Sequence, residues 1–71
     1  MKEFDVLNKS ACRWFTVDEE WLDGVQNIED IDELAFFITP TTEELEVKYK
    51  SGNTLCYQNV YGTWCDPYTI K

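Results

Sequence analysis

The stretch ELEVKYKSGNTLCYQNVY, residues 44–61, determines the fold class of this chain. Leu45, Val47 and Tyr49 alternate with charged residues, which is the period of a strand with one buried face. Residues 51–53 are Ser, Gly and Asn, a composition typical of a tight turn, and a second apolar run follows them. We therefore predict a β-hairpin at the centre of the fold.

The second strand of this hairpin is predicted over residues 54–61, and its register follows from the length of the turn. A three-residue loop places Tyr49 opposite Leu55 and Val47 opposite Tyr57. Sliding the register by one position would set apolar side chains against polar ones, because successive side chains point to opposite faces. We predict the first register.

Upstream of the hairpin, apolar residues recur at intervals of three and four over residues 28–38, which predicts an amphipathic helix. Asn27 is in position to cap the first turn of this helix. Residues 35–39 also have the composition of a buried strand, and Pro40 prevents further helix. We place the change from helix to strand near Leu34.

The amino-terminal third of the chain predicts a strand followed by a short helix. Residues 11–17 are rich in aromatic and β-branched side chains, as in a buried strand. Thr16 stands three residues before Glu19, the spacing of a helix capping box, and Gly24 is a natural stop. These signals predict a helix over residues 17–23.

Residues 62–71 are rich in aromatic side chains, and we expect them to fold back on the domain, either as a segment that covers the core or as an edge strand. The chain as a whole predicts one α+β domain over residues 1–71. Its architecture is expected to be a small antiparallel sheet of three to four strands with one or two short acidic helices packed on one side. The predicted aromatic core consists of Trp14, Phe15, Phe36, Phe37, Tyr49 and Tyr57.

The side chains available do not favour an enzyme. The 71 residues include no His, so the chain lacks an ordinary general base near neutral pH and an imidazole metal ligand. We predict a protein without catalytic activity and without a cofactor. The net charge of -8 also argues against direct binding to nucleic acid or to an anionic membrane.

The cysteines are three in number and lack the short spacing of a metal site: Cys12, Cys56 and Cys65. An odd count favours reduced thiols over disulfides, and no metal is predicted. The first residues carry charges of both signs and lead into no apolar run, so no signal peptide is predicted. We expect a soluble, cytoplasmic protein.

Acidic residues are concentrated in one region of the sequence. Between Trp14 and Val47 there are eleven Asp and Glu and no Lys or Arg, whereas the flanking segments are mildly basic. Carboxylates that share a surface within the Debye length of about 8 Å reinforce one another's field. Trp21 and Trp64 are candidate anchors for an interface rimmed by acids. The predicted partner-binding residues are Asp18, Glu19, Glu20, Asp23, Glu29, Asp30, Asp32, Glu33, Trp21 and Trp64.

Such a surface suits an inhibitor that docks on a basic groove of a larger protein, such as a nucleic-acid-processing enzyme, and displaces phosphates there. An alternative is a small accessory or structural subunit that assembles through a sheet edge or through its aromatic carboxyl-terminal segment. A further alternative is an acidic face that only keeps the protein soluble, although soluble surfaces usually mix both signs of charge.

In its size and acidic character the chain resembles small phage or mobile-element proteins that mimic DNA and block restriction, CRISPR or transcription enzymes. The resemblance is one of type, and no motif carries it. It implies a non-catalytic protein that works in the host cytoplasm on a partner with a basic surface.

Overall fold

The computed structural model describes residues 2–70, which form one six-stranded mixed sheet and one short 3-10 helix, Ile28–Asp30. The predicted domain of residues 1–71 includes Met1 and Lys71, which lie outside the described residues. The strands are β1 (Glu3–Asn8), β2 (Arg13–Asp18), β3 (Ile31–Ile38), β4 (Glu43–Tyr49), β5 (Thr54–Val60) and β6 (Thr63–Thr69).

The prediction of an α+β fold with acidic helices packed on a sheet is wrong. Residues 2–70 contain no α-helix, and the sheet has six strands rather than three or four. Its order is β2-β1-β3-β4-β5-β6, with β1 and β3 parallel and all other neighbours antiparallel. The sheet is therefore open, with β2 and β6 at its edges.

The two ends of the sheet differ in their connections. Strands β1, β3 and β5 end where β2, β4 and β6 begin, and we call this the upper end. Short turns close it at residues 9–12, 39–42 and 61–62. The lower end contains the first residues of β1 and β3, the last residues of β2, and the turn between β4 and β5.

One face of the sheet carries the hydrophobic core. Alternate side chains from all six strands point to this face, as the period of two requires. Leu22, from the connection between β2 and β3, packs into the same core and is 2% exposed. The buried core residues on the strands are Phe4, Val6, Val17, Leu34, Leu45, Val47, Tyr49, Tyr57 and Trp64.

Residues 19–27, which we call the covering segment, cross the core face and are held there by two buried tyrosines. The Gln26 N–H donates to the Tyr57 hydroxyl at 3.1 Å, and the Tyr49 hydroxyl donates to the Gln26 carbonyl at 2.6 Å. The two hydroxyls are 3.0 Å apart, and Tyr57 is the donor between them because the proton of Tyr49 is already engaged. The result is a closed hydrogen-bonded ring, and burial raises the pKa of Tyr49.

Trp64 attaches the covering segment to the edge strand β6. Its indole N–H donates to the Trp21 carbonyl, and its backbone N–H donates to the Asp23 carbonyl, both at 2.9 Å. The second bond satisfies a backbone donor that an edge strand would otherwise expose. The covering segment thus extends over the sheet from β2 to the opposite edge.

The predicted hairpin forms from β4 and β5, but its predicted register is wrong by two residues. Val47 lies opposite Leu55 rather than opposite Tyr57. The predicted pairing of Tyr49 with Leu55 is therefore also wrong by two residues. The turn consists of residues 50–52, where Gly52 has a φ of 99° and completes a three-residue loop. A shift of two keeps every apolar side chain on the core face, so the hydrophobic pattern does not exclude it.

The predicted amphipathic helix is wrong beyond its first turn. The 3-10 helix ends at Asp30, and β3 begins at Ile31 rather than near Leu34. A bulge between Ile31 and Glu33 adds one residue to β3, so Ile31 and Leu34 both lie on the core face. A spacing of three between apolar residues is also typical of a helix, which is why the sequence predicted one here. Asn27 has a φ of 51° and makes no side-chain cap.

The predicted helix over residues 17–23 is also wrong. Every residue of β2 pairs with β1 as far as Asp18, so Thr16 and the residues around it are held in the sheet. Successive turns follow, and the Asp18 carboxylate rather than the Thr16 hydroxyl caps them by accepting the Trp21 N–H at 3.1 Å. Gly24 ends these turns with a φ of 96°.

The residues predicted to form the aromatic core lie on both faces of the sheet. Trp14 was predicted to be in the core, but it lies on the outer face of the edge strand β2 and is 67% exposed. Phe37 also lies on the outer face, where it is half-buried. Tyr49 and Tyr57 are buried as predicted. Of the two alternatives predicted for residues 62–71, the edge strand forms, as β6 over Thr63–Thr69.

We expect Tyr57→Phe to lower the free energy of unfolding by about 1–3 kcal/mol, because it leaves the Gln26 N–H without its acceptor. Tyr61→Phe is the matched control, since Tyr61 is fully exposed in the upper turn and should stay within about 0.5 kcal/mol of the parent. Urea unfolding followed by tryptophan fluorescence measures both. Equal midpoints for the two variants would contradict the hydrogen-bonded ring.

Gly24→Ala should be more destabilising than Gly52→Ala, although both glycines have a positive φ. Each substitution costs about 1–2 kcal/mol in backbone strain. A methyl group at position 24 would also overlap the Trp64 carbonyl oxygen, whereas position 52 faces open space. We expect overlap to add about 1–3 kcal/mol, measured by thermal and urea unfolding. Similar losses in both variants would show that the covering segment does not pack tightly on β6.

Candidate partner-binding surface

The ten residues predicted to bind a partner lie in two separate parts of the structure. Five acids lie at the lower end of the sheet: Asp18, Glu29, Asp30, Asp32 and Glu33. The other five belong to the covering segment or to the strand that it contacts: Glu19, Glu20, Trp21, Asp23 and Trp64.

The acids at the lower end are joined by two acids of β1 that sequence analysis did not select. Because β1 and β3 run parallel, their first residues lie side by side, and Glu3, Asp5, Asp32 and Glu33 line one groove of about 280 Å³. Glu3 also lies opposite Asp18 in the ladder between β1 and β2. We define the acidic end as Glu3, Asp5, Asp18, Glu29, Asp30, Asp32 and Glu33.

Lysines at the lower end only partly balance these carboxylates. The Lys48 ammonium is 3.9 Å from the Glu33 carboxylate, and both side chains are more than half exposed. The Lys2 ammonium lies over the Phe4 ring, 5.3 Å from its centroid. In residues 2–70 three lysines belong to this end against seven acids, the third being Lys50. Exposed ion pairs contribute only about 0–1 kcal/mol, so the acidic end keeps a net negative field.

The acids of β4 face a different environment. Glu46 pairs with Lys9 at 3.2 Å. The Glu44 carboxylate accepts hydrogen bonds from the Cys56 thiol and the Tyr68 hydroxyl, both at 3.1 Å. The acids between Trp14 and Val47 therefore do not share one surface, and basic residues of the flanking segments pair with some of them.

A cleft of about 640 Å³, which we call the aromatic cleft, opens at the upper end of the core face. Its floor contains four rings, each in contact with at least two of the others at centroid distances of 5.2 to 6.1 Å: Phe15, Trp21, Phe36 and Trp64. The charged side chains that line it are Arg13, Glu20 and Glu43. Trp21 and Trp64, the two predicted anchors, therefore meet beside the predicted acid Glu20.

The two anchors differ in exposure. Trp64 is only 3% exposed, so most of its surface belongs to the core. Trp21 is half-buried and packs on Trp64 at a centroid distance of 5.2 Å. Sequence analysis did not select Arg13 or Glu43, which come from β2 and β4 and meet only in the folded sheet.

Large exposed hydrophobic side chains lie mainly at the upper end, opposite to the acidic end. Trp14 and Ile38 are 67% and 58% exposed, and Val60 and Tyr61 extend the apolar surface at the turn before β6. Tyr68, on the outer face of β6, is the other large hydrophobic residue in the described chain that is exposed. Trp14 also lines the groove of Glu3, Asp5, Asp32 and Glu33, so this exposed ring adjoins the acidic end as well.

The cysteines differ in their surroundings. All three lie in residues 2–70, and they form no disulfide with one another. Cys56 is fully buried on β5, and burial, together with its bond to Glu44, raises the pKa of its thiol to about 11. Cys12 is exposed in the turn after β1. Within the described part of the chain, no three Cys, Asp or Glu side chains are grouped to hold a metal ion.

Known protein families, curated proteins and solved structures gave no significant match to this chain. None of the described residues belongs to a helix long and apolar enough to cross a membrane. The functional proposal therefore depends on the charge and shape of the surface itself.

We expect Cys12 to react with iodoacetamide in the folded protein at pH 8 and Cys56 to resist it. The thiolate is the reactive form, and Cys56 is both buried and held as the neutral thiol at this pH. Mass spectrometry of tryptic peptides measures the two rates, and urea-unfolded protein is the control in which both should react. Rapid alkylation of Cys56 before unfolding would contradict its burial.

Proposed function

We propose that this protein is a non-catalytic binding module that inhibits a larger partner by occluding a basic, nucleic-acid-binding site. The acidic end carries the proposal, because seven carboxylates from three neighbouring strands and the 3-10 helix converge there. The proposed partner is a nucleic-acid-processing enzyme, and the proposed location is the cytoplasm, where such enzymes work.

The spacing of the acidic end supports a competition with phosphates. Neighbouring strands lie about 4.8 Å apart, so acids on β2, β1 and β3 repeat at short intervals across the sheet. A DNA strand carries one charge per about 3.4 Å, which is a similar density. A basic groove would attract both surfaces and could not hold them at the same time. Complementary charge would also raise the association rate.

A role without catalysis is supported by the chemistry of the described surface. Among the residues that line the aromatic cleft, the ionisable side chains are Arg13, Glu20 and Glu43, with no cysteine. The chain has no histidine at any position, and no Lys or Tyr lines the cleft, so a general base there would have to be a carboxylate. The acids of the acidic end are exposed or half-buried, an environment that suits contact with a partner.

The accessory-subunit alternative has less structural support at the edge strand β6. Asp66 interrupts this strand with a φ of 51°, and Pro67 has no N–H to donate to a further strand. Both features block the pairing of an edge with another sheet. The alternative still predicts that Tyr68→Ala abolishes assembly, since Tyr68 is exposed on the outer face.

The first experiment uses the full chain as bait in a host lysate, at low and high salt, with and without nuclease. The proposal expects a nucleic-acid enzyme to be captured, more strongly after its nucleic acid is digested and less strongly at high salt. Capture of a complex that is insensitive to both treatments would favour the accessory subunit.

The combined variant Asp30→Lys, Asp32→Lys and Glu33→Lys should slow association with the captured enzyme about tenfold or more. It removes charge from the acidic end and adds repulsion, while leaving the core residues untouched. Biolayer interferometry at several salt concentrations measures the rate, and urea unfolding checks the fold. The dissociation rate should change less than the association rate.

A matched pair of neutral variants separates the acidic end from total charge. Asp32→Asn with Glu33→Gln removes two charges at the acidic end, and Glu46→Gln with Asp66→Asn removes two charges outside the acidic end and outside the predicted partner-binding residues. The first pair should slow association several-fold more than the second. Equal effects would mean that net charge alone acts, which would overturn the proposal.

A further inference from the structure

The aromatic cleft leaves an apolar surface uncovered in a chain that has little core to spare. Phe15, Trp21 and Phe36 are only half-buried, although they pack on one another and on Trp64. A domain of this length needs its large side chains inside. Aromatic rings exposed within a concave surface mark a place where a ligand can add the missing contacts.

The charges on the rim of the aromatic cleft restrict the kind of ligand. Glu20 and Arg13 form no ion pair with each other or with another described residue. The amide of Asn59 occupies one oxygen of Glu43 at 3.0 Å and leaves the other oxygen without a partner among residues 2–70. Two carboxylates and one guanidinium leave the cleft with one uncompensated negative charge.

A guanidinium group fits both the exposed aromatic rings of the cleft and the net negative charge of its rim. It is planar and weakly hydrated, it stacks on aromatic faces, and its N–H groups match the oxygens of a carboxylate. A neutral ring would bury Glu20 and Glu43 without giving them a donor, which is costly. An ammonium group is a compact, strongly hydrated charge and would use the aromatic floor less well.

We propose that the aromatic cleft binds an arginine side chain of the partner. This inference rests on the proposed function, which supplies a partner rich in basic residues. One guanidinium would neutralise the net charge of the cleft and cover the rings of Trp21 and Phe36. The acidic end and the aromatic cleft would then contact two parts of the same basic surface.

The test titrates the full chain with N-acetyl-arginine methylamide and follows two-dimensional NMR signals of the Trp21 indole N–H and the Gly62 backbone N–H. Both residues line the cleft. The neutral citrulline analogue and the lysine analogue are the matched probes. We expect saturable shifts with arginine, about threefold weaker binding of lysine, and no saturable response to citrulline.

Glu20→Gln combined with Glu43→Gln should weaken binding of the arginine probe about fivefold, because it removes both carboxylates and preserves their shape. The control pair Glu46→Gln with Asp66→Asn removes two charges that do not line the cleft and should leave binding unchanged. Dispersed NMR spectra establish that both variants fold. Absence of a saturable shift in the parent chain, or an equal response to citrulline, would overturn the inference.

Failure of this inference and failure of the proposed function give different results. If the arginine probe leaves the cleft signals unchanged while the acidic-end variants still lose the captured enzyme, the cleft assignment is wrong and the proposed function stands. If the probe binds the cleft while the acidic-end and control variants behave alike toward the enzyme, the proposed function is wrong.

Discussion

The fold depends on how the apolar face of a single sheet is covered. A six-stranded sheet exposes one hydrophobic face to water unless another layer packs on it. Here the layer is the covering segment, which has no regular helix to satisfy its own backbone. The hydroxyls of Tyr49 and Tyr57 therefore bond the backbone of Gln26, and Trp64 bonds that of Trp21. A buried backbone group without such a partner would cost about 1–3 kcal/mol.

The sequence predicts a strand well where the spacing of its apolar residues fits a strand alone, and poorly where that spacing fits a helix as well. The alternation through Val47 and Tyr49 has one interpretation, and β4 forms where it predicts. In β3 the bulge after Ile31 changes the spacing to Leu34 from two to three, which a helix would also produce. Local pattern cannot distinguish these cases, because the bulge exists only through pairing with β4.

The surface was predictable in composition but not in arrangement. The acidic region of the sequence does supply most of the acidic end, yet Glu3 and Asp5 reach it only because β1 pairs in parallel with β3. That pairing brings together residues about thirty positions apart, and no local spacing encodes it. Glu46, in contrast, belongs to the acidic region by sequence but pairs with Lys9 in the fold.

Exposure and shape give the acidic end and the aromatic cleft different roles. The acidic end presents exposed or half-buried carboxylates, whereas the cleft is a concave surface with half-buried rings in its floor. The two surfaces adjoin, because the Asp18 carboxylate of the acidic end accepts the N–H of Trp21 in the cleft at 3.1 Å. Exposed charges mainly set the rate and orientation of encounter, whereas contacts in a desolvated cleft mainly set the dissociation rate. A partner that engages both surfaces would be steered by one and retained by the other.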